Sequence, residues 1–292
     1  MAERLCPGLP ADWLNGWLAA VGATVLVPGM RLRWSDDPVP LALLSTPDQP
    51  DVAEAIHQAL PTAVDISRWP IARHIPGRLA LDLKVSVEAW SDRAVLARQH
   101  ATGWTLTSLY TDLAWSQREH THVVERGQFV TPMPGRDNTV YDRLRKLAPT
   151  AGAADAGRTL DGVAGRIQNY GLGFDERRIG SLADESDQLV DPLVEMLAFH
   201  GLALLPTRGD GSRLVRQRGW RGGRSSSGAF RWPAWSPSLD SGGIDALLDV
   251  PARSAELEGL VGITGWWEVV PYESRGSSDQ TRGYGSRRLA VT

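Results

Sequence analysis

The chain has 292 residues, of which 42% are hydrophobic and 22% are charged, and its formal net charge is −3 at pH 7. These proportions exclude wholesale disorder, and the length suits one large domain or two smaller ones. No run of 18 or more apolar residues occurs, so we expect no transmembrane helix. The single cysteine, Cys6, excludes an internal disulfide and a cysteine-based zinc site.

The first 148 residues alternate between helical and strand-like patterns. In residues 12–21, large apolar side chains recur at helical spacing behind the capping residue Asp12, and Gly22 is the expected end of this helix. Other elements predicted here are strands at 23–27, 30–34, 39–44 and 81–87, and helices at 51–60, 87–100 and 138–147. Residues 123–134 are predicted as a strand followed by a loop, and residues 104–113 fit either a strand or a buried helix.

Small residues at 149–158 predict a linker, which divides an N-terminal domain, residues 1–148, from a C-terminal domain, residues 159–272. Elements predicted beyond it are helices at 160–170, 187–200 and 244–248, and strands at 202–206, 230–235 and 261–272. Pro233 makes 230–235 an expected edge strand. Residues 273–292 are predicted as a flexible tail. The whole pattern predicts an α+β protein with mixed, short antiparallel sheets and packed helices.

The most informative feature is an acid-free stretch, residues 211–238, whose six arginines give it a charge of +6 and leave −9 for the rest of the chain. Arginines neutralise phosphates, glycines let the backbone approach a phosphodiester, and exposed aromatic rings stack on unpaired bases. We therefore predict nucleic-acid binding by a loop held in a hairpin between strands 202–206 and 230–235. The predicted contact residues are Arg213, Arg216, Arg218, Trp220, Arg221, Arg224, Arg231 and Trp232.

Two alternatives to this interpretation stay open. Arginine supplies 29 of the 31 basic residues, a bias that a GC-rich genome explains, and in that case the stretch is only a solvated surface loop. The 12 tryptophans could instead anchor a partner protein, which would make the chain an interaction adaptor without nucleic-acid contact.

Metal and nucleophile motifs are weak. Asp187, Asp191 and Glu195 lie at i, i+4 and i+8 of a predicted helix and could bind Mg²⁺ in a nuclease, but acids near a helix start also favour its dipole. His120 and His122 form a pair without a third ligand at diagnostic spacing. The sequence has no P-loop, no dinucleotide fingerprint and no nucleophile elbow. We therefore predict a non-catalytic protein without metal or cofactor.

Three segments resemble a known family. They are residues 9–22 (LPADWLNGWLAAVG), residues 191–206 (DPLVEMLAFHGLALLP), and residues 230–235 (FRWPAW) with the helical segment 244–248 after it. Together they resemble CRISPR effector subunits of the Csx17/Csb3 group, which belongs to type I-U/I-G systems and is Cas8-like. They cover about a quarter of the chain, and none is a catalytic signature.

The resemblance implies a Cas8-like accessory or large subunit of a Cascade-type surveillance complex in antiviral defence. Such a subunit contacts crRNA and/or target DNA on the PAM side, together with Cas7-like and Cas5-like subunits, and leaves cleavage to Cas3. We accordingly expect a cytoplasmic, hetero-oligomeric protein that does not touch a membrane. The first residues lack the charged lead and apolar core of a secretory signal, which agrees with that expectation.

Overall fold

The structure, a computed structural model, describes residues 2–62, 72–75, 78–81, 85–98, 101–118, 121–127, 129, 140–169, 171–172, 189–211, 215–221, 229–250, 259–273 and 282–289. Within these ranges the chain forms helices and short antiparallel sheets, which confirms the predicted α+β class.

Helices and strands alternate irregularly along the chain. The helices are α1 (Leu14–Leu26), α2 (Val52–Ala59), α3 (Val87–Ala97), α4 (Ala101–Ser108), α5 (Val140–Gly152), α6 (Ala156–Leu160), α7 (Pro192–Gly201) and α8 (Ser241–Leu247). The strands are β1 (Ala2–Pro10), β2 (Arg31–Trp34), β3 (Leu41–Thr46), β4 (Ala72–Ile75), β5 (Arg78–Leu81), β6 (Tyr110–Arg118), β7 (Thr121–Arg126), β8 (Ile167–Gln168), β9 (Leu189–Val190), β10 (Thr207–Gly209), β11 (Val215–Gln217), β12 (Trp220–Arg221), β13 (Ala229–Trp235), β14 (Ile263–Glu273) and β15 (Arg282–Arg288).

Two larger sheets organise the described strands. One has the strand order β1-β3-β2 and the other the order β12-β13-β14-β15, and every pairing in both is antiparallel. An isolated bridge between Leu32 and Leu239 ties β2 to the segment that follows β13. The remaining strands form the two-stranded pairs β4–β5, β6–β7, β8–β9 and β10–β11.

Helix α1 is buried on all sides and forms the centre of the core. Its partner is α7, and glycines allow the two backbones to touch: a Cβ at Gly22 would lie 1.8 Å from the Leu197 carbonyl oxygen, and one at Gly201 would lie 2.2 Å from that of Leu18. The predicted end of the helix at Gly22 is therefore wrong. The helix continues to Leu26, through residues predicted as a strand, because Gly22 serves the helix crossing and not a cap.

Buried tryptophans join β13 to α1, to the residues just before α1, and to β2. The Trp17 indole N–H donates to the Pro233 carbonyl over 2.8 Å, and the Trp232 indole N–H donates to the Ala11 carbonyl over 2.7 Å. The Trp235 indole N–H reaches the Leu32 carbonyl over 3.1 Å. These bonds satisfy the polar atom of each ring inside an apolar core, where an unpaired donor costs about 1–3 kcal/mol.

Several other predicted elements are confirmed and some are wrong. The helices predicted at 51–60, 87–100, 138–147, 187–200 and 244–248 exist with shifted ends, and residues 104–113 divide between α4 and β6. The helix predicted at 160–170 is wrong, because α6 ends at Leu160 and β8 follows. The strand predicted at 202–206 is a 3₁₀ turn over Leu202–Leu204. Within the predicted flexible tail, β15 pairs along its length with β14.

Strand β13 lies between two strands instead of at an edge. Its first residues pair with β12, whereas from Trp232 onwards β14 is its only neighbour among the named strands. On the side of β13 away from β14, no named strand lies beside Pro233, so its lack of an N–H breaks no strand pairing. On that side the Pro233 carbonyl accepts the hydrogen bond from Trp17. The edge position predicted from Pro233 therefore holds only for this half of β13.

The segment predicted as a linker, residues 149–158, contains the end of α5 and the start of α6, with Ala151 and Ala156 buried. One hydrophobic core contains residues from both sides of this segment, including Trp17 and Trp235. The buried core thus extends across the predicted boundary at 148–159.

Candidate functional site

The acid-free stretch forms two successive hairpins instead of the single one expected. Strand β10 pairs with β11, and β12 then pairs with β13. Gly219 makes the turn between the hairpins at φ +82°, and a Cβ there would lie 2.4 Å from the Phe230 ring, so glycine is required on both counts. The predicted contact residues Arg213 and Arg224 lie outside the described residues.

Arg218 is engaged inside the protein. Its side chain is only 7% exposed, and its Nη1 donates to the Leu204 carbonyl over 2.8 Å. The guanidinium pairs with Asp245 of α8, and its Nη2 lies 2.9 Å from Asp249. Asp249 also pairs with Arg208 over 3.2 Å. Arg218 therefore joins the hairpins to α8, and its charge is compensated by two carboxylates.

Arg231 is compensated in a similar way. It lies opposite Glu268 across β13 and β14, and Glu268 lies opposite Arg287 of β15. Arg231 donates from Nε to the Glu268 carboxylate, and Arg287 Nη2 donates to it over 2.8 Å. Burial opposes ionisation of Glu268, but the bonds from Arg287 and Arg231 hold its pKa below the ordinary value. A charged Glu268 thus sits between two arginines.

The two predicted aromatic contacts have different positions. Trp232 is fully buried and stacks at 5.8 Å on Phe230, so its ring offers no surface to a nucleic acid, and this part of the prediction is corrected. Trp220 is half-buried against Phe129 and Phe230, at centroid distances of 5.7 and 6.0 Å. Its indole N–H is buried without an acceptor in the part of the chain that the structure describes.

Arg216 and Arg221 differ from these. Both are exposed, and neither forms an ion pair with a described residue. Arg216 lies on β11 and Arg221 on β12, so both stand on short strands next to the segments 212–214 and 222–228. They are the predicted phosphate contacts whose guanidinium groups face solvent.

A cavity of about 310 Å³ brings four of the predicted residues together. The residues Arg218, Trp220, Arg221 and Arg231 contribute to its wall, and Arg216 does not. Sequence reasoning missed the other side chains of the wall. These are the aromatic Trp266 and the aliphatic residues Leu205, Pro233, Leu248 and Val250. No local signal places Trp266 here, because its position follows from the pairing of β14 with β13.

The weaker motifs are placed as follows. Asp191 caps α7 by accepting from the backbone N–H groups of Leu193 and Val194, and burial raises its pKa. Glu195 is buried and accepts from Asn15 and from the Leu172 N–H. These two acids therefore do not share an open face. Asp187 lies outside the described residues, within which no group of three or more side chains suits a metal ion.

The histidine pair and Cys6 are placed as follows. His122 is exposed on β7, and His120 lies outside the described residues. Cys6 is fully buried in β1, and burial raises the pKa of its thiol to about 12. The thiolate that nucleophilic chemistry needs is therefore strongly disfavoured.

Comparisons with protein-family models, with curated proteins and with solved structures gave no match. Among the helices that the structure describes, none is long and apolar enough to cross a bilayer.

Proposed function

We propose that this protein is a non-catalytic, nucleic-acid-contacting subunit of a CRISPR Cascade-type, crRNA-guided surveillance complex in the cytoplasm. The observation that carries the nucleic-acid contact is the pair of exposed arginines, Arg216 and Arg221, which have no carboxylate partner among the described residues. Guanidinium groups that are not neutralised by the protein gain most from phosphate, because binding releases the counterions of the nucleic acid.

The distribution of carboxylates supports this choice of residues. The largely buried side chains of Arg218 and Arg231 are already paired, Arg218 with the exposed Asp245 and Asp249 and Arg231 with the buried Glu268. Arg216 and Arg221 stand beside them in the same acid-free stretch without such partners. The four described arginines of this stretch thus divide into two that hold the fold and two that are available to a polyanion.

The membership of a surveillance complex is supported by the resemblance of residues 9–22, 191–206 and 230–235 to the Csx17/Csb3 group. In this proposal the partners are crRNA and/or target DNA together with Cas7-like and Cas5-like subunits. The nucleic acid is held through its backbone, and base pairing with the guide supplies sequence recognition.

The contact is tested by exchanging Arg216 and Arg221 for glutamine, singly and together, and measuring binding of single-stranded RNA and of duplex DNA against salt concentration. Each phosphate contact that is lost should reduce the slope of log affinity against log salt by about 0.7 for a single strand or 0.9 for duplex DNA. The reduction in this slope should therefore be about twice as large for the double variant as for each single variant.

A matched control is Arg33→Gln. Arg33 is also a partly exposed arginine on a strand, but it pairs with Glu3 over 2.9 Å in the other sheet. We expect this variant to bind nucleic acid like the wild type. Equal effects of Arg33→Gln and of the double variant, or no effect of the double variant, would remove the hairpin arginines from the proposal.

Membership of the complex has its own test. The tagged protein, purified from its native cells, should bring down RNA of a defined length together with other proteins. A partner complex without nucleic acid would favour the adaptor alternative instead. Against that alternative, the tryptophan side chains that the structure describes are mostly buried in the core, and Trp104, at 37% exposure, is the most exposed of them.

A further inference from the structure

The cavity beside Arg221 combines groups that recognise one kind of ligand. Its wall includes three arginines, two tryptophans and the aliphatic residues Leu205, Leu248 and Val250. A volume of about 310 Å³ lies at the lower end of the range of small-molecule sites. It is therefore too small for a helix or a strand of a partner and suits a single small, partly aromatic group.

Among the described charged residues in and beside the cavity wall, guanidinium groups outnumber carboxylates. Arg208 and Arg218 are matched by Asp245 and Asp249, whereas Arg231 and Arg287 share the single carboxylate of Glu268. Arg221 adds a guanidinium with no partner among the described residues. A phosphate group would supply an anionic partner for Arg221.

An indole ring determines the other part of the ligand. Trp266 lies in the cavity wall and is half-buried, and it stands opposite Pro233 on the same face of the sheet as Arg221 and Arg231. The pairing of Trp220 with Phe230 places the Trp220 ring on the other face. Indole surfaces of this kind stack on nucleobases of any sequence. A phosphate beside an aromatic ring of limited size is the chemistry of one nucleotide.

We propose that this cavity binds one nucleotide unit, with Arg221 on its phosphate and Trp266 against its base. The inference rests on the proposed nucleic-acid contact and deepens it, since the unit is either a free nucleoside monophosphate or one nucleotide of a bound strand turned into the cavity. Arg216 takes no part, because it lies outside the wall.

The test uses the full chain and a series of probes: the four nucleoside 5′-monophosphates, the corresponding nucleosides and inorganic phosphate. Binding is followed by calorimetry and by tryptophan fluorescence. We expect saturable binding of the monophosphates, with dissociation constants below about 1 mM, and at least about tenfold weaker binding of nucleosides and of phosphate, because each lacks one half of the recognised group. Binding of phosphate alone with equal strength would overturn the assignment of the base.

The variant that decides is Arg221→Gln, with Arg33→Gln as its matched control in the other sheet. We expect Arg221→Gln to weaken monophosphate binding about tenfold, since one charge-assisted contact is lost, and Arg33→Gln to leave it unchanged. Trp266→Leu should also weaken binding of the monophosphate, and thermal unfolding of each variant checks that the fold is retained. Equal losses in the two arginine variants would overturn the inference.

The inference and the proposed function fail in different ways. If long strands bind through Arg216 and Arg221 but no monophosphate binds, the cavity assignment is wrong and the proposed backbone contact stands. If neither strands nor monophosphates bind, both are wrong. If monophosphates bind tightly while long strands do not, the cavity is a site for a free nucleotide, and the proposed nucleic-acid contact is wrong.

Discussion

At the scale of single residues, the functional meaning of an arginine depends on the carboxylates near it. Arg218 and Arg231 are part of the acid-free stretch in sequence, yet Asp245, Asp249 and Glu268 reach them from α8 and from β14. A charge count along the chain treats all six arginines of the stretch alike. Only the positions of acids more than 25 residues away distinguish a structural arginine from an available one.

His200 carries a pH-dependent contribution to stability. It is fully buried in α7, where burial lowers its pKa from 6.5 to about 4 although its Nδ1 bonds the Met196 carbonyl over 2.9 Å. Between pH 6.5 and pH 4 the unfolded chain binds a proton here and the folded chain does not. The folded state therefore loses stability as the pH falls through this window, and loses none from this group above it.

We expect His200→Leu to remove this contribution, which amounts to about 3 kcal/mol in the free energy of unfolding at pH 4 relative to pH 7. The measurement is urea unfolding of both proteins at intervals from pH 4 to 7.5. Because the variant also loses a buried hydrogen bond, its free energy of unfolding differs from that of the wild type at every pH. The comparison therefore uses only how much the free energy of unfolding of each protein changes with pH. Parallel curves for the two proteins would show that His200 is not buried as a neutral group.

At the scale of elements, glycine positions decide how the central helices meet. Gly22 in α1 and Gly201 in α7 allow each helix to contact a carbonyl of the other, so the crossing is close and leaves no room for a methyl group. Gly22 follows a strongly apolar run, and by itself this pattern favours the end of a helix. In the structure Gly22 lies inside α1 instead, and its missing side chain allows the close contact with α7.

We expect Gly22→Ala to lower the free energy of unfolding by about 3 kcal/mol or more, because its Cβ would lie 1.8 Å from a backbone oxygen and one of the two helices must move. Gly152→Ala is the matched control. Gly152 ends α5 with nothing within 4 Å of an added Cβ, so this change should alter stability by less than about 0.5 kcal/mol. Denaturant unfolding measures both, and equal stability of the two variants would contradict the close crossing.

At the scale of the whole molecule, one hydrophobic core joins the two ends of the described chain. It contains Cys6 of β1, Trp17 of α1, and Val269 of β14, and so includes residues on both sides of the predicted boundary. The Trp232 to Ala11 and Trp17 to Pro233 bonds connect positions more than 200 residues apart. A core with such long-range contacts couples the stability of both halves.

We accordingly expect a single cooperative unfolding transition, in which tryptophan fluorescence and far-ultraviolet circular dichroism change together, instead of one transition for residues 1–148 and another for residues 159–272. A fragment of residues 1–148 should fail to fold, since α1 then lacks α7 and β13. Two separated transitions, or a folded fragment, would instead support the predicted division into two domains.

The sequence by itself determined the class of the fold, most helices and the location of the basic stretch, because helical periodicity, strand alternation and charge are local properties. It could not determine which arginines are neutralised, that Trp232 lies in the core while Trp220 lines a cavity, or that Trp266 completes that cavity. These depend on the pairing of β13 with β14 and on the packing of α8 against the hairpins, which bring together residues far apart in the chain. Only the tertiary structure decides them, because burial and charge compensation are set by neighbours in space.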